Sequence, residues 1–549
     1  MTGKITLIGM VCGLLLAAQV QAQERPNIII ILTDDMGFSD LGCYGGEIPT
    51  PNIDRLAENG IRLTNFYNAA RCCPTRASLL TGLYPHQAGM GFMATDRYKD
   101  IPAYQGYLNE NCVTIGEVMQ ANGYFTMMTG KWHVGQKEDG GVTPWGRGFD
   151  RSFNTIAGNF YYDDAIAKLY LNGRKIDNKE LPDNWYTTDL WTAYGLKFVD
   201  EAKQAGKPFI WYLAHNAPHY PLQAPEEEIA KFRGKFMRGW EVLRQERYDR
   251  QIDMGIIDKS HPLPALNPLI PKWDSLDRKE QIRQDDIMAI YAAVVSRIDK
   301  SIGDLITGLK QRGEYENTII LFLSDNGGNA EGGIEGRYFG EKPGAIHSHV
   351  SVSQGWAELN NTPFWLYKHH TSEGGIASPF IVSWPKGMAD SLSGKILPDR
   401  GHVIDVMPTC LEIAGGVYPT HYNGNVISPM EGVSLFPLLV GQSVERTNPL
   451  FWEHEGNKAM VSGDWKIVSN VREPWQLYNI KTDRTETNDL AREKPEMLSR
   501  MVYLYNDWFK RVAAMPYTYP PKEWQIMQGQ QLSDLPAREK KQQRLIKIN

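Results

Sequence analysis

Five consecutive residues, Cys72-Cys73-Pro74-Thr75-Arg76, could carry covalent chemistry, and their setting says what kind. Pro74 suits the first turn of a helix, where its missing N–H costs nothing. Ala77, Leu79 and Leu80 can continue that helix and Gly82 can end it. Cys72 and Cys73 then stand at the positive end of a helix dipole, with Arg76 one turn further on. A thiol placed there is acidic and reactive, and an anion there is held.

Two other stretches end in hard oxygen ligands. Asp34 and Asp35 close the apolar run that begins at Asn27, and Asp325 and Asn326 close a second run that begins at Thr318. No histidine directly follows Asp325, and no cysteine accompanies the group. Oxygen-only ligation suits Ca²⁺ or Mg²⁺ and disfavours zinc. One acidic strand tip alone reads as a solvated turn; two in one chain, each after a buried-strand pattern, favour a divalent site. Arg76, Lys131, His133, His219 and Lys368 are the matching cations, each after a strand or in a loop that could open onto the same edge. Taken singly, Lys131 reads as a surface charge and His133 as a ring packed beside Trp132. His215 and His219 have a metal-like helical spacing, but Pro218 between them argues against a helix, so that metal reading is set aside. His86, His347, His349, His369 and His370 receive no role.

Cys72-Cys73-Pro74-Thr75-Arg76, followed by Leu80-Thr81-Gly82, resembles the Cys-x-Pro-x-Arg signature of the type I sulfatases. Thr33-Asp34-Asp35, Gly130-Lys131-Trp132-His133, Pro218-His219-Tyr220-Pro221, Ser324-Asp325-Asn326-Gly327 and Lys368 occur in that family's order. The helical insert, the Trp356 region and Tyr367-Lys368 through Gly374-Gly375-Ile376 look most like the bacterial arylsulfatase branch. The resemblance implies an alkaline-phosphatase-like fold and hydrolysis of sulfate monoesters. It implies that Cys72 is oxidised to formylglycine by a formylglycine-generating or an anaerobic sulfatase-maturating enzyme. It implies a Ca²⁺, favoured over Mg²⁺, on Asp34, Asp35, Asp325, Asn326 and converted Cys72. The roles implied are Asp325 as proton acceptor, Arg76 and Lys131 as orienting cations, His133 as the base that releases sulfate, and Lys368 and His219 at the leaving oxygen. Cys73 and Thr75 depart from the more usual Thr and Ser. Asn326 stands where a zinc phosphatase would place a further histidine. A phosphodiesterase or phosphonate monoester hydrolase with the same converted cysteine, and a sulfated-glycan binder without catalysis, are the competing readings.

The elements that must position these residues alternate along the chain. The continuous apolar run Ile28 to Leu32 predicts a strand covered on both faces, as in a parallel sheet, where ligands collect beyond the carboxyl ends. A helix over Pro51 to Gly60, a strand over Ile61 to Phe66, a helix over Val113 to Asn122 and a strand over Tyr124 to Thr129 follow. Leu190 to Ala205 reads as a helix and Pro208 to Ala214 as a strand. Ile287, Tyr291, Val295, Ile298, Ile302, Leu305 and Leu309 recur at helical spacing and mark a long helix packed on the sheet, after a break at Pro262, Pro264, Pro268 and Pro271. Ala330 to Tyr367 shows weak periodicity and reads as a long loop, functional or disordered. Phe380 to Trp384 predicts a strand and Asp405 to Gly415 a helix. Short strands at Lys458 to Val461, Lys466 to Val468 and Gln476 to Tyr478, then a helix over Met497 to Val512, predict a smaller α+β domain. The fold class is α/β, with a large domain built on a mostly parallel sheet between helices. The expected divisions are 1–22, 23–439 and 440–549.

The chain of 549 residues suggests two or three domains at ~100–200 residues each. A formal net charge of −6 speaks against nucleic acid as partner. Lys4, the apolar run Ile5 to Ala18 and Val20-Gln21-Ala22 read as a cleaved export signal rather than a membrane anchor, so a periplasmic or secreted enzyme without stable membrane insertion is expected. Of six cysteines, Cys12 would leave with that signal, and the remaining Cys43, Cys72, Cys73, Cys112 and Cys410 are too few for a disulfide framework. The substrate expected is a sulfated saccharide or an aryl sulfate.

Overall fold

The computed structural model describes residues 25–514 except 96–97, 136–141, 157–159, 163–166 and 472; the expected export signal and the C-terminal tail lie outside the described residues. In chain order the strands are β1 (Asn27–Thr33), β2 (Ile61–Tyr67), β3 (Phe125–Lys131), β4 (Arg151–Thr155), β5 (Tyr170–Leu171), β6 (Arg174–Lys175), β7 (Phe209–Ala214) and β8 (Thr318–Ser324). There follow β9 (Arg337–Phe339), β10 (His349–Ser351), β11 (Ala377–Ser383), β12 (Lys395–His402), β13 (His421–Tyr422) and β14 (Asn425–Val426). The last four are β15 (Leu450–His454), β16 (Asn457–Ser462), β17 (Trp465–Ser469) and β18 (Gln476–Asn479).

Ten strands form one sheet in the order β12-β2-β11-β8-β1-β7-β3-β4-β5-β6. β1 lies parallel between β7 and β8, β3 lies parallel to β7 and β4, and β11 runs antiparallel between β8 and β2. The sheet is thus mostly parallel, as the alternation of elements predicts. The unbroken apolar run of β1 has a direct cause. Ile29 and Ile31 enter one core with the helices Thr187–Gln204 and Arg278–Gln311, while Ile28, Ile30 and Leu32 enter the opposite core with the helices Cys72–Thr81, Ile115–Ala121 and Val406–Ala414. Both faces of the strand are dry, so no position favours a polar residue.

The Arg278–Gln311 helix buries the whole predicted stripe, Ile287 through Leu309, and Asp277 caps its start by accepting from the Glu280 N–H at 2.8 Å. Four strands of the large sheet carry no strand pattern in the sequence: β4, β12 and the two-residue β5 and β6. β4 holds buried polar residues such as Ser152 and Asn154. β12 contains Pro398 within an edge strand, where its missing N–H is tolerated at a shift of register between Leu397 and Arg400. Ala330 to Tyr367 is not irregular throughout: it holds the β9–β10 ribbon and the helix Gln354–Asn360. Strands of three residues are too short to show a period.

The smaller domain is an antiparallel meander, β15-β16-β17-β18, covered by the helix Pro495–Arg511 through Met501, Tyr505 and Trp508. Its core continues into the large domain at Tyr67, Ala70, Tyr84, Ile376 and Ile404. Buried Lys466 also pairs with Glu373 at 2.9 Å and Glu486 at 2.7 Å, and Arg484 donates to Glu373 at 3.1 Å. No helix among the described residues is long and apolar enough to cross a membrane.

Candidate active site

The carboxyl ends of β1, β3, β7 and β8 face one buried pit. Asp34 and Asp35 follow β1, Lys131 ends β3, His219 lies in the segment after β7, and Asp325 and Asn326 follow β8. The helix Cys72–Thr81 is capped by Arg71 in extended conformation, so Cys72 and Cys73 occupy its first two positions, and Gly82 ends it at φ 70°. That places Cys72 where the helix dipole is most positive.

Arg76 ties the strand ends together. Its guanidinium donates to Asp325 Oδ2 from Nε at 3.1 Å and from Nη2 at 2.8 Å, approaches Asp34 Oδ2 at 3.3 Å and donates to the Lys131 carbonyl at 2.8 Å. Lys131 Nζ donates to Asp34 Oδ2 at 2.6 Å. Lys368 Nζ lies 2.7 Å from Asp35 Oδ1 and 3.4 Å from His219 Nε2, which itself stands 3.4 Å from Asp35 Oδ2. Asn326 Nδ2 donates to Asp35 Oδ1 at 2.8 Å, and the Asp35 N–H, at φ 71°, donates to Asp325 Oδ1 at 3.2 Å. The ligand atoms of Asp34, Asp35 and His219 lie within 4.8 Å of one another, as do those of Cys72, Cys73 and His133. His215 joins neither group.

Burial and neighbouring charge compete at every titratable group here. Burial pushes Asp34 up, but Lys131, His219 and Arg76 together hold its carboxyl down at about 2. Burial and the Asp34 charge hold Asp325 well above the usual carboxylate range, against the pull of Arg76. A hydrogen bond from Cys73, aided by His133 and Lys131 against burial, holds the Cys72 thiol well below its ordinary value, while burial and Cys72 itself push Cys73 up. Burial and Lys131 lower His133, which keeps its ring neutral. Burial and Arg76 lower His215 to about 3.

The donor set fits a hard cation. Asp34 Oδ1 and Asn326 Oδ1 are both buried without a hydrogen-bond partner, and such atoms are rare because each costs ~1–3 kcal/mol. Three carboxylates and an amide oxygen, with no thiolate among them, match Ca²⁺ or Mg²⁺.

Several residues around the pit carry no signal of their own in the sequence. Glu331 accepts from Arg71 at 2.9 Å and lies 3.2 Å from Lys368 Nζ. Asn329 donates to Asp35. His369, adjacent to Lys368, faces Glu331 at 3.0 Å and Glu455 at 3.0 Å, and Glu455 comes from the smaller domain. Only the adjacency of Arg71 to Cys72, of Asn329 to the Asp325-Asn326 tip, and of His369 to Lys368 could have drawn attention to them. All five cysteines of the described residues, Cys43, Cys72, Cys73, Cys112 and Cys410, are buried and unbridged.

Residues 26–417 match the family model described as Sulfatase. The chain is 36% identical over 442 residues to an arylsulfatase of Klebsiella aerogenes, covering 76% of this chain and 93% of the relative. It is 34% identical over 523 residues to an uncharacterized sulfatase of Schizosaccharomyces pombe, covering 87% and 92%. Among solved structures, Ps i-CgsB in complex with k-i-k-neocarrahexaose superposes with a TM-score of 0.67 at 26% identity, over 92% of this chain and 97% of that one.

Proposed function

This chain belongs to the sulfatase family, and from that premise we propose that it hydrolyses sulfate monoesters of saccharides or phenols, with Cys72 oxidised to formylglycine and calcium held by Asp34, Asp35, Asp325 and Asn326. It is an enzyme, a sulfuric ester hydrolase. The observation that carries the finer reading is the convergence of two unpartnered buried oxygens, on Asp34 and Asn326, with a helix-terminal Cys72 and a ring of cations. When bound, calcium would supply positive charge to the sulfuryl oxygens of the ester. A hydrated aldehyde at position 72 would offer one hydroxyl to attack sulfur and a second whose deprotonation releases sulfate by elimination, a route closed to a plain alcohol.

The side chains divide the remaining work. Arg76 and Lys131 hold the sulfate and the side chain at position 72 in line. Asp325, fixed by two donations from Arg76, accepts the proton of the attacking hydroxyl. His133, kept neutral by burial and Lys131, takes the second proton. Lys368 and His219, 3.4 Å apart, would meet the leaving oxygen. At ~4 Å and an effective dielectric of ~20, one unit charge pair is worth ~4 kcal/mol. A few such cations supply much of the ~8–23 kcal/mol by which enzymes lower barriers.

An arylsulfatase relative and a neighbour in complex with k-i-k-neocarrahexaose support both ester classes as substrates. Residues 1–22 would direct export before cleavage, and a maturation enzyme would meet Cys72 first. The test is a panel of position-defined sulfated saccharides, 4-nitrophenyl sulfate, a phosphate diester and a phosphonate monoester, read by release of sulfate or phosphorus product. Sulfate release should dominate. Faster turnover of the phosphorus esters would instead make it a phosphonate hydrolase, and no release from any ester would leave a glycan binder.

A further inference from the structure

A chain of contacts links the smaller domain to Lys368. Glu331 divides its two oxygens: Oε2 lies 3.2 Å from Lys368 Nζ, and Oε1 accepts from Arg71 and faces His369 Nε2 at 3.0 Å. The other nitrogen of that ring, Nδ1, faces Glu455 Oε2 at 3.0 Å. Arg71 Nη1 also meets both nitrogens of that ring, so the guanidinium and the imidazole share the two carboxylates. Beyond Glu455, His454 Nε2 lies 3.6 Å from its second oxygen. The sequence stretches that meet here are far apart: the loop after β8, the segment before the helix Glu373–Ile376, and the turn between β15 and β16.

Backbone and burial mark this as a built arrangement. Glu455 occupies the tip of the β15–β16 hairpin at φ 53°, followed by Gly456 at φ 83°. Such left-handed turn positions are ordinarily filled by Asn, Asp or Gly. A glutamate there forgoes the residue best suited to the turn, and its side chain is fully buried. His369 is also left-handed, at φ 79°, and its main chain is held from both domains: its N–H donates to the Ala70 carbonyl at 3.0 Å, and its carbonyl accepts from Asn457 Nδ2 at 3.0 Å. Two residues in left-handed conformation therefore face each other across the domain boundary, His369 with its main chain held on both sides. Strain of this kind persists where the surroundings require it.

We infer that Glu455, acting through His369 and Glu331, is a positioning residue that holds the Lys368 ammonium toward the leaving oxygen, so that the smaller domain is part of the catalytic apparatus. Lys368 shares Asp35 with Asn326, Asn329 and His219. Glu331 supplies the second carboxylate, and its orientation depends on His369, Arg71 and Asn329, which donates to its Oε2 at 3.1 Å. With Glu455 neutralised, the ring of His369 loses the charged acceptor that fixes it, Glu331 turns, and Lys368 is left to Asp35 alone, away from the ester.

This inference rests on the proposed role of Lys368. General-acid assistance contributes ~10²–10⁴-fold, and mostly to esters whose alcohol leaves poorly. The experiment compares wild type with Glu455→Gln and Glu331→Gln over an ester series from 4-nitrophenyl sulfate through phenyl sulfate to hexose 6-sulfates, with the melting temperature of each variant recorded. Both variants should lose about tenfold more kcat at the poor-leaving-group end than on 4-nitrophenyl sulfate. A uniform loss across the series, or a fall in melting temperature with the leaving-group dependence unchanged, would overturn the inference and leave the proposed activity standing. A wild-type enzyme inactive on the whole series would overturn both.

Discussion

Asp34 and Asn326 each leave a buried oxygen without a hydrogen-bond donor, although three cations crowd the neighbouring carboxylates. Each such atom calls for an explanation, and a cation bound by hard oxygens supplies one for this pair. The expected outcome is that added calcium raises the thermal midpoint of chelator-treated protein, by the equivalent of ~2.7 kcal/mol at a hundredfold excess over Kd. Asn326→Ala should raise the apparent Kd about tenfold or more in the same titration, and a midpoint indifferent to calcium would count against the site. The tips of β1 and β8 were legible because an unbroken apolar run followed by carboxylates is unusual in any sequence. Glu331, His369 and Glu455 were not, because a lone charged residue in a loop looks alike whether it faces water or a catalytic lysine. The partners of His369 lie 38 and 86 residues away along the chain, and neither spacing nor periodicity encodes that meeting.

The helix Gln354–Asn360 shows what an irregular-looking stretch can hide. Trp356 packs its ring 5.3 Å from Trp240 and 5.7 Å from Trp273, and its Nε1 donates to the Gln284 carbonyl at 3.0 Å. Two residues on, Glu358 is fully buried; burial raises its carboxyl from the ordinary 4.5 to about 7, against the pull of Arg244. The folded protein therefore holds this proton more tightly than the unfolded chain does. The stabilisation is complete below about pH 4.5 and is lost as the pH rises through about 7. Its size is about 3 kcal/mol, taking ~1.4 kcal/mol for each tenfold change in proton affinity. Glu358→Gln removes the titration, so urea unfolding at about pH 5 and about pH 8 should show the variant gaining on wild type at the higher pH. A difference independent of pH would mean that Glu358 does not titrate in this range. The rest of the loop was opaque for a plain reason: β9 and β10 are three residues each, and a helix of seven residues completes barely two turns. By contrast the 34-residue helix Arg278–Gln311 repeats its apolar stripe often enough to be read directly.

Across the whole molecule, one sheet collects residues scattered from Asp34 to Lys368 at its carboxyl edge, and the smaller domain closes over them through a shared core and the buried Lys466–Glu373 pair. The alternation of strand and helix was enough to expect the parallel sheet; the antiparallel insertion of β11 and the edge strand β12 were not legible, since strand order depends on contacts that no local pattern carries. Everything in the pit is arranged about position 72, where the cations of Arg76, Lys131 and Lys368 all feel the side-chain charge. The most direct measurement is peptide mass spectrometry across residues 71–76 of enzyme purified in active form. The account predicts that Cys72 has lost its sulfur to become an aldehyde while Cys73 keeps its thiol. Active enzyme in which both cysteines retain their thiols would contradict it.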